Sequence, residues 1–139
     1  MRIIMVQSNE ERIKFANDEV IGKGNLKIVN EIFAANYVAH AGGKDYRGHQ
    51  FVRRFIGELR SAIPDIRVMK VEILTHSGDT IVWQRTLRGT HKANMTGIPP
   101  SGQKIEWIEM VVTRFDSEKI AEEWVVSELA GRLLSKPPC

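Results

Sequence analysis

The chain has one cysteine and no long apolar run, and both absences narrow the class of protein. Cys139 excludes an internal disulfide framework and is poorly placed for a supported nucleophile. A reducing, cytoplasmic setting is therefore expected. There is no stretch of about 18 uninterrupted apolar residues, and the apolar run in residues 1–6 is too short for a signal peptide. We expect a protein that is neither membrane-spanning nor secreted.

Clustered charge and metal-ligand spacing are also missing. The net charge of +3 and the isoelectric point near 9.2 are mildly basic, but Lys and Arg are scattered along the chain. Without a basic stripe interleaved with aromatics, a nucleic-acid partner is not expected. No two histidines have metal-ligand spacing on one element, so no metal site is expected. With 139 residues, 42% of them hydrophobic, the chain fits a single domain over residues 1–139.

The first half of the sequence has helical periodicity. Ser8 and Glu11 form a capping-box pattern before a first helix that ends near Gly22. Apolar residues at helical spacing predict a second helix over residues 25–36 and a third over residues 49–61. Further elements are predicted as an extended piece at 37–40, a loop at 41–48, a strand at 66–75 and a terminal helix at 131–134. Helices followed by strands predict an α+β fold, in which a curved antiparallel sheet packs on three N-terminal helices.

Strict alternation predicts a β-hairpin between residues 79–91 and 103–115, joined by a loop with two adjacent prolines. The odd-numbered residues of both strands form the apolar face, which is therefore the buried one. Arg85 and Glu109 are charged exceptions on that face. If the hairpin is symmetric about Gly97, they lie opposite each other and form an ion pair.

A second hairpin is predicted to turn at residues 116–119. Regular pairing from this turn places Val126 opposite Glu109 and Glu128 opposite Trp107. Trp124 then shares their face, and the shared surface forms the wall of a small-molecule pocket. A bulge of one residue would reverse this assignment.

Several short motifs, taken in order, resemble those of a known family. They are Gly78-Asp79, Arg85, Gly89-Thr90-His91, Gly-Ile-Pro-Pro-Ser-Gly at 97–102, Arg114-Phe115 and Lys-Ile-Ala-Glu-Glu-Trp at 119–124. Their order and spacing resemble the SnoaL-like polyketide cyclases, ester cyclases of the cone-shaped NTF2-like superfamily. The resemblance covers most of the chain. One departure is Glu128, which stands where Asp is commoner in that family.

The resemblance implies a cofactor-free intramolecular aldol cyclisation of a small hydrophobic, polyketide-like ester. A base removes a C–H proton flanked by carbonyls, the enolate attacks a second carbonyl, and an acid protonates the alkoxide. On this interpretation Glu128 is the acid/base, with His40 or His91 at the carbonyl oxygen. The residues expected to bind substrate are Tyr37, Trp83, Arg85, Trp107, Glu109 and Trp124.

Other interpretations of the same residues remain open. The Arg85 and Glu109 pair can be structural, and Glu128 can be a solvated residue at the start of the last helix. The cone also suits a hydrolase of the limonene-epoxide type, which needs two carboxylates bridged by an arginine around a water. A third possibility is a non-catalytic protein that binds an apolar ligand.

The even-numbered positions of the long strands predict how the chain assembles. Val82, Ile108, Met110 and Val112 leave apolar side chains on the outer face of the sheet. Because such a face needs cover, we expect a homodimer that packs sheet against sheet.

Overall fold

The computed structural model describes residues 7–135. Cys139 and the apolar run in residues 1–6 lie outside the described residues. Within residues 7–135, no helix combines the length and apolar content needed to cross a membrane.

The first helix begins as the capping box predicts. α1 (Asn9–Ala16) starts after Ser8, whose hydroxyl accepts a hydrogen bond from the Glu11 backbone N–H at 3.1 Å, while the Glu11 carboxylate accepts the Ser8 N–H at 3.3 Å. α1 continues without a break into a π-helix (Asn17–Gly22), whose end at Gly22 confirms the prediction. The wider π turn was not predicted, because its i to i+5 bonds leave no mark on the spacing of apolar residues.

The second helix is shorter than predicted. A 3₁₀ turn (Leu26–Ile28) leads into α2 (Val29–Ile32), and residues 33–36, predicted as helix, belong instead to β1 (Phe33–Ala41). The physical reason is tertiary: β1 pairs with a distant strand, which overrides the local helical pattern. The predicted loop at 41–48 likewise contains a short strand, β2 (Lys44–Arg47), which forms a hairpin with β1.

The remaining elements follow the prediction closely. They are α3 (Gly48–Ala62), β3 (Arg67–Ser77), β4 (Thr80–Thr90), β5 (Lys104–Asp116), β6 (Lys119–Ser127) and α4 (Leu129–Leu134). The six strands form one sheet in the order β2-β1-β6-β5-β4-β3, antiparallel except for the parallel β1 and β6 pair. The α+β fold class is confirmed: a curved, unclosed mixed sheet whose concave face packs on the helices.

The hairpin of β4 and β5 has the predicted register. Arg85 is paired with Glu109, and the odd-numbered residues face the core, where Trp83 and Trp107 are almost fully buried. Trp107 is 1% exposed, whereas its even-numbered neighbour Ile108 is 36% exposed. Simple alternation is therefore sufficient to orient these two strands.

The hairpin of β5 and β6 does not have the predicted register. Phe115 pairs with Ile120, but Arg114 pairs with Glu122, so Ala121 is an extra residue in a β-bulge. Every later residue of β6 faces opposite to the prediction. Met110 pairs with Val126 and Glu109 with Ser127, which places Glu123 and Ser127 on the inner side. The predicted inward positions of Trp124, Val126 and Glu128 are therefore wrong.

Candidate functional site

A hydrogen-bonded chain of side chains runs across the inner face of the sheet and ends on Glu123. Tyr37, on β1, donates its hydroxyl proton to Glu123 Oε1 at 2.8 Å. Thr113, on β5, donates to Glu123 Oε2 at 2.5 Å, and Trp83 Nε1 donates to the Thr113 hydroxyl at 2.8 Å. Both carboxyl oxygens of Glu123 are thus held by hydroxyl groups from neighbouring strands.

The surroundings of Glu123 favour its protonated form. The residue as a whole is half-buried, but its carboxyl group lies in the interior. Burial raises the pKa of Glu123, and the hydrogen bonds from Thr113 and Tyr37 and the Arg85 charge offset this only in part. Burial, followed by the nearby Glu123 charge, also raises the pKa of Tyr37. A carboxyl group with a raised pKa is suited to exchange protons with a bound molecule.

Glu109, the second carboxyl group on the inner face, is instead stabilised in its ionised form. Arg85 Nε and Nη2 lie 2.8 and 2.7 Å from Glu109 Oε1. Ser127 Oγ and Trp107 Nε1 donate to Glu109 Oε2 at 2.6 and 3.2 Å. Burial by itself raises the pKa of Glu109, but the Arg85 charge and these hydrogen bonds outweigh it, so the pKa lies below its usual value. The site therefore pairs an anionic Glu109 with a Glu123 that readily holds a proton.

A small cavity lies between these groups and the first helix. Its volume is about 30 Å³, enough for one water molecule. It is lined by Ile13, Ala16, Asn17, Ile21, Trp83, Arg85, Ile120 and Glu123. Asn17, the first residue of the π-helix, accepts a hydrogen bond from Arg85 Nη1 at 2.9 Å and donates to the Ile13 carbonyl at 2.8 Å. The helical layer is thereby fastened to the charged centre of the sheet.

A larger space, of about 560 Å³, lies on the surface between α3 and the loop that joins β4 to β5. Its lining includes Arg53, Arg54 and Asn94 but none of the residues expected at the site. The small inner cavity, which adjoins Glu123 and Arg85, is therefore the better candidate site.

Five of the predicted substrate-binding residues meet at this inner face. They are Tyr37, Trp83, Arg85, Trp107 and Glu109. Trp124, the sixth, lies on the outer face and is 41% exposed. Its predicted place in the pocket wall is wrong because of the bulge at Ala121.

The three predicted catalytic residues lie elsewhere. Glu128 is exposed on the outer side, where its Oε1 accepts the Ile108 backbone N–H at 3.0 Å, just before α4 begins. Its predicted position beside Trp107 is wrong because of the same bulge. His40 lies on the outer face and stacks on Trp124, with ring centroids 5.2 Å apart.

His91 is fully buried at the end of β4, and neither of its ring nitrogens has a hydrogen-bond partner among the described residues. Its backbone N–H donates to the Gln103 carbonyl at 2.9 Å and so holds the base of the following loop. The ring does not line the cavity beside Glu123.

The site also contains residues that the sequence reasoning did not assign. Glu123 was the most important omission, and the adjacent apolar pair Ile120 and Ala121, both buried, is the signal that could have indicated a bulge before it. Asn17 interrupts an apolar helical face without any turn signal, so its contact with Arg85 could not be foreseen.

Solved structures with this fold come from several bacteria. A protein assigned as a SnoaL-like polyketide cyclase from Jannaschia sp. CCS1 superposes with a TM-score of 0.81 at 21% identity, covering 96% of this chain and 100% of its own. A protein assigned as a polyketide cyclase from Acidithiobacillus ferrooxidans gives 0.77 at 23% identity, covering 93% and 94%. IdmH from Streptomyces antibioticus, also assigned as a polyketide cyclase, gives 0.76 at 23% identity, covering 91% and 96%.

These identities are low, so the superpositions support the fold alone. None of the curated proteins matches the chain. The sequence itself matches the family description SnoaL-like polyketide cyclase over residues 11–134. Because this match spans most of its 139 residues, the chain belongs to the SnoaL-like polyketide cyclase family.

Proposed function

We propose that the chain is a cofactor-free enzyme of cyclase type, with Glu123 as its general acid and base. The observation that carries this proposal is the Glu123 carboxyl group, which lies in the interior beside a cavity with its pKa raised by burial. Membership of the family favours a small, apolar, polyketide-like substrate. The apolar lining contributed by Ile13, Ile21 and Ile120 suits such a molecule.

The reaction begins when the Glu123 carboxylate removes a proton from a carbon flanked by two carbonyl groups. The resulting enolate oxygen is stabilised by Arg85, the cation that lines the cavity. The enolate carbon attacks a second carbonyl of the same molecule and forms a carbon–carbon bond. Protonated Glu123 then returns its proton to the new alkoxide, so atoms and charge balance without a cofactor.

Tyr37 and Thr113 position the acid/base group in this mechanism. Their hydroxyl groups fix both oxygens of Glu123, which restricts the carboxyl group to one orientation. A fixed orientation matters because displacements of about 1 Å cost roughly a hundredfold in rate. Glu109 keeps Arg85 in place from the other side.

A substrate larger than water needs more room than about 30 Å³. On its helical side the cavity is bounded by residues of α1 and the π-helix. Asn17 links these helices to Arg85 through one hydrogen bond. Since π turns are frequent at functional sites, we propose that this helical layer moves aside to admit substrate.

The test uses proton exchange at carbon, which needs no knowledge of the natural substrate. Small β-keto esters are incubated with the protein in heavy water, and loss of the C–H signal is followed by NMR. We expect Glu123→Gln to slow exchange by about 10²–10⁴-fold, because the amide transfers no proton, while its oxygen can still accept from one of the two hydroxyl groups. Glu128→Gln is the matched control and should leave the rate unchanged.

Ligand binding is measured in parallel by calorimetry with the same esters. Retained binding with lost exchange in Glu123→Gln supports catalysis by Glu123. Binding without exchange in the unmodified protein would instead identify a non-catalytic binding protein. Equal exchange rates in the Glu123 and Glu128 variants would exclude Glu123 as the acid/base.

Epoxide hydrolysis is a second candidate, favoured by the water-sized cavity beside Arg85, Glu123 and Asn17. The Arg85 charge lowers the pKa of Glu109 and partly offsets the rise that burial causes in the pKa of Glu123, as a shared cation between two carboxyl groups would. Hydrolysis of small epoxides in ¹⁸O-labelled water would place the label in the diol. Labelled diol together with no carbon-acid exchange would favour this function over cyclisation.

We also propose that the protein is a cytoplasmic homodimer that packs sheet against sheet. Ile108, Met110 and Val126 are 36%, 44% and 75% exposed on the outer face. Ion pairs between Arg88 and Glu106 and between Arg114 and Glu122 stand at different ends of β5. Because each end carries both signs of charge, a twofold-related copy can place opposite charges together.

The cytoplasmic location is proposed from the single cysteine of the sequence.

A further inference from the structure

His40 lies between two carboxylates on the outer face of the sheet. Its Nδ1 is 2.6 Å from Asp45 Oδ1, and its Nε2 is 2.6 Å from Glu122 Oε2. A neutral imidazole has one N–H donor and one lone pair, so it can satisfy only one of these carboxylates. The other would then face a lone pair across 2.6 Å and be repelled. Only the doubly protonated imidazolium makes both contacts attractive.

The remaining charged groups around His40 stabilise this arrangement. Arg114, on β5, donates from Nε to Glu122 Oε1 at 3.1 Å. Arg47, on β2, has its Nη2 3.9 Å from Asp45 Oδ2. Together with Asp45 and Glu122, these two arginines form the charged cluster around His40. The hydrogen bond to Glu122, followed by that to Asp45, raises the pKa of His40 more than partial burial lowers it.

The cluster joins three strands at the place where the candidate site is built. His40 is on β1, Asp45 on β2 and Glu122 on β6. The next residue of β6 is Glu123, and β1 also carries Tyr37, which contacts Glu123 from the inner side. The pairing of β1 with β6 is irregular between Phe33 and Val38, so backbone bonds hold these strands together less continuously there. Tyr37 lies in this irregular segment, and the His40 link to Glu122 lies just beyond it, where Val38 to His40 pair regularly with β6.

We propose that protonated His40 is a clamp that holds β1, β2 and β6 together from the outside and so positions Tyr37 against Glu123. Loss of one proton from His40 releases either Asp45 or Glu122. His40 is thus a positioning residue and does not touch substrate. The link to Tyr37 and Glu123 rests on the proposed function, whereas the clamp itself does not.

The direction of the pH dependence follows from the charge. His40 has a higher pKa in the folded chain than in the unfolded chain, because the carboxylates face it only after folding. The clamp is therefore complete below the ordinary histidine pKa and is lost as the pH rises through the folded-state pKa.

The first test measures the protonation of His40 directly. Ring nitrogens are followed by ¹⁵N NMR from about pH 5 to about pH 9. We expect His40 to keep both N–H protons to higher pH than a histidine in a short unstructured peptide. Asp45→Asn and Glu122→Gln should each lower the pKa of His40, whereas His76→Gln should not. A His40 that is neutral throughout, or that titrates like a histidine in an unstructured peptide, would overturn the clamp.

The second test measures strand spacing by amide hydrogen exchange. Below the folded-state pKa of His40, His40→Gln should reduce the protection of β1 and β2 amides by about tenfold, and β3 and β4 amides should not change. The unmodified chain should fall to the protection of the variant above that pKa. Equal protection of the two chains at both pH values would contradict the clamp.

The third test separates the clamp from the site. In the β-keto ester exchange assay, we expect the rate of the unmodified chain to fall at alkaline pH, and His40→Gln should lower the rate at low pH and remove that fall. If NMR supports the clamp but this pH profile is unchanged, the positioning of Tyr37 is overturned. If Glu123→Gln has no effect on exchange, the proposed function fails, and the first two tests still decide the clamp.

Discussion

Glu122 and Glu123 are neighbours on one strand, yet their pKa values move in opposite directions. The carboxylate of Glu122, on the outer face, bonds to His40 and Arg114, and these cations lower its pKa despite some loss of hydration. The carboxyl group of Glu123, on the inner face, bonds to uncharged hydroxyl groups, and burial raises its pKa. The difference teaches that the charge state of a carboxyl group on this sheet is set by its hydrogen-bond partners and its access to water, since Glu109, on the same inner face as Glu123, has a lowered pKa beside Arg85.

The largest expected difference between the two faces concerns their arginines. Arg85→Met leaves Glu109 buried without its counter-charge and should lower the free energy of unfolding by about 3–5 kcal/mol. Arg114→Met, on the more hydrated face, should cost less than about 1 kcal/mol. Urea denaturation of both variants at neutral pH measures the contrast. Similar losses in the two variants would mean that the faces do not differ in this way.

Replacing each of the two glutamates by glutamine should change the folding stability in opposite directions. Since the pKa of Glu123 is raised on folding, its carboxyl group makes the folded chain less stable as the pH rises from the unfolded to the folded pKa. Glu123→Gln should therefore be more stable than the unmodified chain at neutral pH, and this difference should shrink in acid.

Glu122 provides the matched case. Its pKa is lowered on folding, so its contribution is present above the unfolded pKa and is lost as the pH falls through the folded pKa. Glu122→Gln should be less stable than the unmodified chain at neutral pH and should approach it in acid. Thermal unfolding of both variants across the acid range checks the two signs, and the same sign for both would contradict the comparison.

An effect smaller than that of Arg85→Met is expected where the inner network meets the end of β6. Ser127→Ala removes the 2.6 Å hydrogen bond to Glu109 but leaves Arg85 in place. Removing one donor from a carboxylate that keeps its ion pair should cost about 1–2 kcal/mol, less than Arg85→Met. Denaturation at neutral pH measures it. A loss as large as that of Arg85→Met would show that Ser127, and not the ion pair, dominates the inner face.

The smallest change in folding stability is expected on the outer face, where the proposed dimer forms. Val126→Asp, at a position that is 75% exposed, should change the stability of the monomer by no more than about 0.5 kcal/mol. It should nevertheless shift the protein from dimer to monomer in analytical ultracentrifugation. Leu134→Asp, 68% exposed on α4, is the control and should leave the dimer intact. A monomeric unmodified chain at micromolar concentration would contradict the proposal.

The sequence predicts the fold better than the site, and β4, β5 and β6 show why. The pairing of Arg85 with Glu109 follows from alternation, because both strands are regular and their turn residues limit the register. In β6 the alternation is ambiguous, since buried Ile120 and Ala121 are adjacent. The contact between Asn17 and Arg85 joins residues 68 positions apart through an unpredicted π-helix, and no local pattern encodes such a contact.

The bulge at Ala121 determines which side chains of β6 face the interior and which face the outer side of the sheet. One extra residue decides which glutamate meets tyrosine and which meets histidine. If Ala121 instead paired regularly with Arg114, Glu122, Trp124 and Val126 would be presented to the helices, while Glu123 would turn toward water. The identity of the interior acid thus depends on how β6 is aligned with β5 as much as on the composition of the strand, because the same residues without the bulge would place a different glutamate inside.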